Sequence, residues 1–273
     1  MTIGSVVVRK SLGRQLKALR VGCGMTVADV VTAKIASKTK LQDIEGGVRP
    51  VKLPDAWALC RLYGCDTATT DRIAELAMNT AKGGWWEDHS AAMPSWFGLY
   101  VELEAAATRA RFYDSELVPG LLQAPLYQRA MFETLPDFTE EYAASQVRLR
   151  SERQQAALER TPPLRLAAVL GEEALTRPVG GAKGLTEQKA HLLKLSRKSN
   201  VTVRVLPWEA GAHLATKGAF NILDFESVEE PSVVYLETYV GGRYVEDEKM
   251  LSDFQRMFQT VSGKSVPIEE YLK

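Results

Sequence analysis

Three polar side chains, Lys38, Thr39 and Gln42, are spaced so that they would lie together at the start of a short helix. Residues four apart are neighbours on a helix surface, so Lys38 and Gln42 share one face, with Thr39 beside them. Amine, hydroxyl and amide groups can hydrogen-bond to the base edges in a DNA major groove, which accepts an inserted helix. The pattern therefore predicts a recognition helix for duplex DNA.

The neighbouring residues predict where this helix begins, ends and packs. Ser37 is a favourable N-cap, because its hydroxyl can accept a hydrogen bond from an amide of the first turn. Leu41 and Ile44, three apart, form a stripe that a core would bury. Gly46 and Gly47 then end the helix.

Further helices are expected on both sides of this segment. Leucines at helical spacing indicate a first helix: Leu12, Leu16 and Leu19. A second helix, capped by Thr26, would bury three valines: Val27, Val30 and Val31. A tight turn near Ala36 would join it to the recognition helix as a helix-turn-helix. Residues 55–64 and 73–77 predict two more helices, and a small helical bundle without a ligand is the alternative.

The distribution of charge favours contact with phosphate. The whole chain is formally neutral, but residues 1–72 hold twelve Lys and Arg against six Asp and Glu. The remainder holds 22 basic and 28 acidic residues, so a basic part precedes an acidic one. Further DNA contacts are expected from basic residues around the recognition helix: Arg9, Lys10, Arg14, Lys40 and Arg49.

Composition argues against several other classes. No run of about 18 apolar residues predicts a membrane span, and the amino end lacks the pattern of a secretion signal. Three cysteines, Cys23, Cys60 and Cys65, show no metal-ligand spacing, and the last two would not share a helix face. We expect a cytoplasmic protein with reduced, unpaired cysteines and with neither metal nor cofactor.

The length of 273 residues predicts two domains. We place a helix-turn-helix DNA-binding domain at 1–80, a linker at 81–95, and an α/β sensor or partner-binding domain at 96–273. Three tryptophans near the junction are candidates for contact with a ligand or partner: Trp85, Trp86 and Trp96.

The second domain mixes helical and alternating patterns. Helices are predicted at 97–111, 125–133, 139–160, 186–200 and 247–261, and strands at 164–170, 201–206, 220–225 and 232–237. The glycine-rich residues 180–184 are expected to form a connection. The predicted fold class is mainly α with an α+β second domain. It combines an N-terminal five-helix, lambda-repressor-like helix-turn-helix domain with a C-terminal mixed sheet flanked by helices.

Groups that would indicate catalysis are scarce. The three histidines lie in no metal or nucleophile motif. Glu172 and Glu173 are adjacent, so they would point apart rather than work as an acid–base pair. We therefore expect no enzyme activity and no catalytic residues.

The order of short motifs along the chain resembles a known class of regulators. The matching segments are 37–45, 49–50, 62–64, 84–86, 116–123, 127–130, 148–154, 172–175, 203–207 and 211–213. On the order of these segments, the chain resembles the Xre-type helix-turn-helix regulators of filamentous soil bacteria that carry an associated C-terminal domain of unknown function.

The resemblance implies a DNA-binding transcriptional regulator, with Lys38, Thr39 and Gln42 facing base edges. From the helix pattern and the charge distribution we expect it to bind as a homodimer to two half-sites. Genes of that class often neighbour a gene for a small partner protein, in a pair resembling a toxin–antitoxin module. The C-terminal domain would then receive this partner, a ligand or a second copy of the chain.

Four positions depart from the pattern of that class. Val31 stands where a small residue usually lies at the crossing of the two helices. Val27 replaces a usual Gln, Ile35 lies near a turn that usually carries Gly, and Asp43 stands where Arg is frequent. These departures keep an alternative open, in which the chain is an antitoxin-like protein-interaction module with weak or no DNA binding.

Overall fold

The computed structural model describes residues 5–79, 97–136, 138–225, 231–238 and 241–273, and the side chains from residue 9. The chain divides into two compact units, residues 1–88 and residues 89–273. The predicted linker at 81–95 lies outside the described residues, so the domain bounds given above stay a prediction.

Within residues 5–79, the described part of the first unit, the chain forms five helices. They are α1 Ser5–Gly22, α2 Val27–Thr32, α3 Lys38–Glu45, α4 Leu53–Leu62 and α5 Thr67–Asn79. This confirms the predicted helical N-terminal region. Its core contains the residues that the helical spacing indicated, including Leu12 and Leu16 of α1 and both Leu41 and Ile44 of α3.

One expectation for α2 is wrong. Val30 is fully buried and Val27 packs partly against the core, but the side chain of Val31 is 39% exposed. Val27 and Val30 are about one turn apart on the side of α2 that meets the core, whereas Val31, about 100° further round the helix, lies at the edge of that side. Ala36, in the turn that follows, is buried instead of Val31.

In the residues of the second unit that the structure describes, the strands form one seven-stranded sheet. Its strands are β1 Arg109–Asp114, β2 Arg165–Gly171, β3 Val201–Leu206, β4 Phe220–Asp224, β5 Val233–Thr238, β6 Gly241–Val245 and β7 Val266–Pro267. Its helices are α6 Gly98–Ala106, α7 Pro125–Glu133, α8 Glu140–Leu158, α9 Gly181–Ser196, α10 Glu248–Lys264 and α11 Ile268–Tyr271. The spatial order is β6-β5-β4-β1-β2-β3-β7, with β1, β2 and β3 parallel and the other pairings antiparallel. The predicted class, mainly α with an α+β second domain, is confirmed.

The prediction of a helix over 97–111 is wrong in its second half. Helix α6 ends at Ala106, and Arg109–Asp114 forms the central strand β1, between β4 and β2. Arg111 is buried in this strand because its guanidinium donates to Asp224 Oδ1 of β4 at 2.8 Å. That partner lies 113 residues away, so no local pattern reveals it.

The glycine-rich residues 180–184 also differ from their prediction as a connection. Gly180 and Gly181 both have positive φ, near +74° and +69°, and Gly180 is the N-cap of α9. Left-handed backbone is inexpensive only for glycine, so this pair lets the chain turn directly into the helix.

A buried ion pair joins two helices of the second unit. Arg153 of α8 donates through Nε and Nη2 to the two carboxylate oxygens of Glu104 of α6, each at 2.9 Å. The guanidinium also lies 5.1 Å from the centre of the Phe97 ring. Both charges are almost completely buried, so each depends on the other.

Candidate nucleic-acid interface

Side-chain caps define the starts of α2 and α3. The Thr26 hydroxyl accepts from the Asp29 amide, and the Asp29 carboxylate accepts in return from the Thr26 amide at 2.7 Å, which completes a capping box. The Ser37 hydroxyl accepts from the Lys40 amide at 3.2 Å, which confirms the predicted N-cap of α3.

A left-handed residue makes the turn between these helices. It is Lys34, with φ of +56°, rather than Ile35, which packs partly against the core. A side chain at such a backbone position costs about 1–2 kcal/mol relative to right-handed geometry. The turn therefore forms without the glycine that the resembling class usually has there.

Helix α3 has one buried and one exposed side. Leu41 and Ile44 are buried, whereas Lys38, Thr39 and Gln42 are exposed. These three side chains, which we call the polar face of α3, lie within the first five residues of the helix. They therefore occupy the end of the helix that contacts base edges in helix-turn-helix proteins.

Two of the other basic candidates already have acidic partners. Lys40 Nζ lies 2.7 Å from Asp55 Oδ1, which ties the first turn of α3 to the first turn of α4. Arg49 Nε lies 3.7 Å from Asp43 Oδ2, in a more exposed pair. The Asp43 charge is thus partly balanced within the protein itself.

The basic residues of α1 that were expected to contact DNA are less accessible than the sequence pattern suggests. Arg9 and Lys10 are only 8% and 7% exposed, and Arg14 is half-buried. Arg9 Nε donates to the Gly47 carbonyl at 3.4 Å, so this side chain helps to hold α1 against the loop after α3. Their contact with DNA phosphates stays a prediction.

The contact that holds the far end of α3 was not found from the sequence. Arg20 of α1 donates from Nε and Nη2 to the two carboxylate oxygens of Glu45, at 2.6 and 2.9 Å, and from Nη1 to the Met25 carbonyl at 2.8 Å. The hydrogen bond from the Arg20 guanidinium to Glu45 raises the pKa of Arg20. Arg20 and Glu45 are charged residues in ordinary helical positions. They lie 25 residues apart in the chain, so no local sequence signal links them.

A glycine allows α1 and α3 to touch through their backbones. A Cβ atom at Gly13 would lie 2.5 Å from the Ile44 carbonyl oxygen and 2.7 Å from that of Glu45. The position of α3 is therefore set in part by the absence of a side chain at residue 13.

We expect Gly13→Ala to displace α3 and to lower the free energy of unfolding by about 1–3 kcal/mol, since backbone atoms cannot move aside as a flexible side chain can. Chemical denaturation of the full chain measures this loss. Gly22→Ala is the matched control, because Gly22 ends the same helix and a Cβ atom added there would meet nothing within 4 Å. Equal stability of the two variants would contradict the prediction.

Several groups elsewhere in the chain that suggested chemistry have structural partners. Glu172 Oε2 accepts from the Trp208 amide at 2.9 Å, whereas Glu173 pairs with Arg177. His213 Nε2 lies 3.5 Å from the Tyr113 hydroxyl. In the described parts of the chain no His, Cys, Asp and Glu groups cluster in a way that would hold a metal ion. Trp85, Trp86 and Trp96 lie outside the described residues.

Comparison with known families agrees with this geometry. Residues 11–73 match the model of a helix-turn-helix domain. The two capped helices and the exposed polar face thus belong to a helix-turn-helix protein, which supports a DNA-binding regulator. Residues 97–271 match the model of a domain of unknown function, DUF5753, and because this match covers most of the chain, the protein belongs to the DUF5753 family.

No curated protein and no solved structure matches the chain. In the described residues, each helix is too short or too polar to cross a membrane.

Proposed function

We propose that this protein is a sequence-specific DNA-binding transcriptional regulator of the Xre type, and that α3 enters the major groove. The observation that supports this most directly is the polar face of α3, which is exposed while Leu41 and Ile44 on the opposite side are buried. In this proposal Lys38 and Gln42 bond to base edges and Thr39 contacts a base or phosphate.

The remaining basic residues have supporting roles in the proposal. Arg14 and Arg49 contact backbone phosphates, which supplies affinity and register rather than sequence choice. Lys40 acts mainly by fixing α3 to α4 through Asp55. Arg9 and Lys10 contribute mainly by packing α1 against the loop that follows α3.

The chain acts as a homodimer in this proposal and binds two half-sites about 34 Å apart, one turn of the duplex. Its C-terminal unit binds a small partner protein or a ligand, and the partner is the product of an adjacent gene in a toxin–antitoxin-like pair. The acidic excess of the residues after 72 supports a partner other than nucleic acid for that unit.

A second candidate function is an antitoxin-like interaction module with weak DNA binding. The ion pairs of Lys40 and Arg49 favour it, because they reduce the free positive charge around α3. Selection of duplexes from a random library by the full chain separates the two. The leading proposal expects one enriched motif and binding that weakens steeply with salt, whereas the alternative expects no enrichment.

Lys38→Ala tests the role of the polar face directly. If Lys38 bonds to a base, the affinity for the selected duplex should fall by about 1–3 kcal/mol, roughly 5- to 150-fold, and specificity at one base position should relax. Fluorescence anisotropy with the selected duplex and with single-base variants measures both effects.

Lys17→Ala is the control for charge, since Lys17 is an exposed lysine of α1 outside the polar face. It should change affinity much less than Lys38→Ala does. If Lys38→Ala weakens binding to all duplexes equally and lowers the salt dependence by about one ion, Lys38 contacts phosphate and base reading by this residue is refuted.

A further inference from the structure

Helix α4 ends in a hydrogen-bonding pattern that brings two cysteines together. The Cys65 amide donates to the Cys60 carbonyl at 3.0 Å, and the Gly64 amide donates to the Arg61 carbonyl at 3.3 Å. Gly64, with φ of +71°, supplies the left-handed residue between them. This is the Schellman arrangement. In it, the residue two positions after the C-cap lies against the residue three positions before the C-cap, and the C-cap here is Tyr63.

Cys60 and Cys65 occupy those two positions. Cys60 is fully buried in the core of the N-terminal unit, and Cys65 packs against the same core while remaining partly accessible. The Cys65 thiol is close enough to Cys60 to contribute, after burial, to the raised pKa of the Cys60 thiol. The turn at Gly64 thus places side by side two thiols that a continuous helix, at a spacing of five, would keep on different faces.

The surroundings give the two thiols different reactivities. Burial, together with the neighbouring Cys65 thiol, raises the pKa of Cys60 to about 11, so Cys60 stays protonated at neutral pH. Cys65 is the more accessible of the pair. Because a peroxide must reach the sulfur in order to react, the partly accessible Cys65 is the thiol that meets an external oxidant first.

We propose that Cys60 and Cys65 form a reversible dithiol–disulfide site that is oxidised by hydroperoxides. The Cys65 thiolate attacks the peroxide, the O–O bond breaks, and sulfenic acid forms at Cys65 while water or an alcohol is released. The Cys60 sulfur then attacks the Cys65 sulfur, an S–S bond forms, and water leaves with the oxygen of the sulfenic acid and the proton of the Cys60 thiol. Two thiols supply the two electrons that reduce the peroxide.

The site lies beside the contact that orients the recognition helix. Tyr63, the C-cap of α4, is buried, and the charges of both Glu45 and Arg20 influence its pKa. Oxidation therefore covalently closes a turn that packs next to the Arg20–Glu45 pair. The proposal itself concerns thiol chemistry and does not depend on the proposed DNA binding.

The position of Arg61 makes the test direct. Trypsin cleaves after Arg61, so Cys60 lies in peptide 53–61 and Cys65 in peptide 62–72. The full chain carrying Cys23→Ser, which removes the exposed third cysteine, is treated with hydrogen peroxide, alkylated, denatured and digested without reductant. We expect the two peptides to be recovered joined, with loss of both free thiols, and to separate again after dithiothreitol.

Cys65→Ser in the same background is the control, and unchanged circular dichroism establishes that it folds. The buried Cys60 should then oxidise at least tenfold more slowly, and no joined peptide should form. A second variant, Cys60→Ala, should accumulate sulfenic acid at Cys65 that dimedone traps. Recovery of peptides 53–61 and 62–72 only as separate species from the parent protein, or oxidation of Cys60 at the same rate without Cys65, would overturn the proposal.

Discussion

Replacing Glu45 by glutamine is expected to lower the free energy of unfolding of the N-terminal unit by about 3–5 kcal/mol. The carboxylate accepts two hydrogen bonds from Arg20, and both side chains are about nine-tenths buried. Glutamine keeps the volume but removes the negative charge, so the buried guanidinium loses its counterion. Because Glu45 is the last residue of α3, the recognition helix should also lose its orientation, and DNA affinity should fall with stability.

Hydrogen exchange of the full chain, followed by mass spectrometry, measures this loss in the amides of α1, α3 and α4. Asp43→Asn is a matched control on the same helix, because Asp43 pairs with Arg49 in a more exposed position and should contribute less than about 1 kcal/mol. Arg20→Met combined with Glu45→Met should cost less than Glu45→Gln alone, since no buried charge is left unpaired. If Glu45→Gln and Asp43→Asn have the same effect, the ion pair does not hold α3.

The second large effect is expected in the C-terminal unit. Glu104→Gln should lower its free energy of unfolding by about 3–5 kcal/mol, because Arg153 is almost completely buried and has Glu104 as its bidentate partner. Helices α6 and α8 are joined at this point, so their packing against each other should loosen. Urea unfolding monitored by exchange of the β1 and β4 amides measures the change.

Glu133→Gln provides the comparison for Glu104→Gln. Glu133 forms an ion pair with Arg129 one helical turn away, and both side chains are nearly half exposed. Such a pair contributes about 0.3–0.5 kcal/mol. A loss of stability for Glu104→Gln as small as that for Glu133→Gln would show that solvent or another group replaces the buried partner.

Local patterns in the sequence predicted much of the fold. Strands at 164–170, 201–206, 220–225 and 232–237 were expected, and β2 to β5 occur within two residues of those bounds. The helix expected at 125–133 has the same limits as α7. These elements carry their signals in their own residues, through apolar period, caps and turn-forming residues.

Strand β1 shows where local reading fails. Its arginines and the helical run before it favour a longer helix, yet Arg109–Asp114 lies at the centre of the sheet. Arg111 is tolerated there because Asp224 neutralises it from the neighbouring strand. The strands β6 and β7 were also missed, since β6 begins with two glycines, which are infrequent in strands, and β7 has two residues, too few for an alternating pattern.

The sequence alone determined that α3 is a capped, amphipathic helix with a polar face. Ser37 caps the helix and Leu41 and Ile44 form its buried stripe, and both signals come from residues within one or two turns of each other. Only the tertiary structure decided which of the nearby charges are free and which hold the helix. Lys40 meets Asp55 and Arg20 meets Glu45 across 15 and 25 residues of chain. A hydrogen bond between distant residues depends on how whole helices pack. The periodicity within a single segment does not specify that packing.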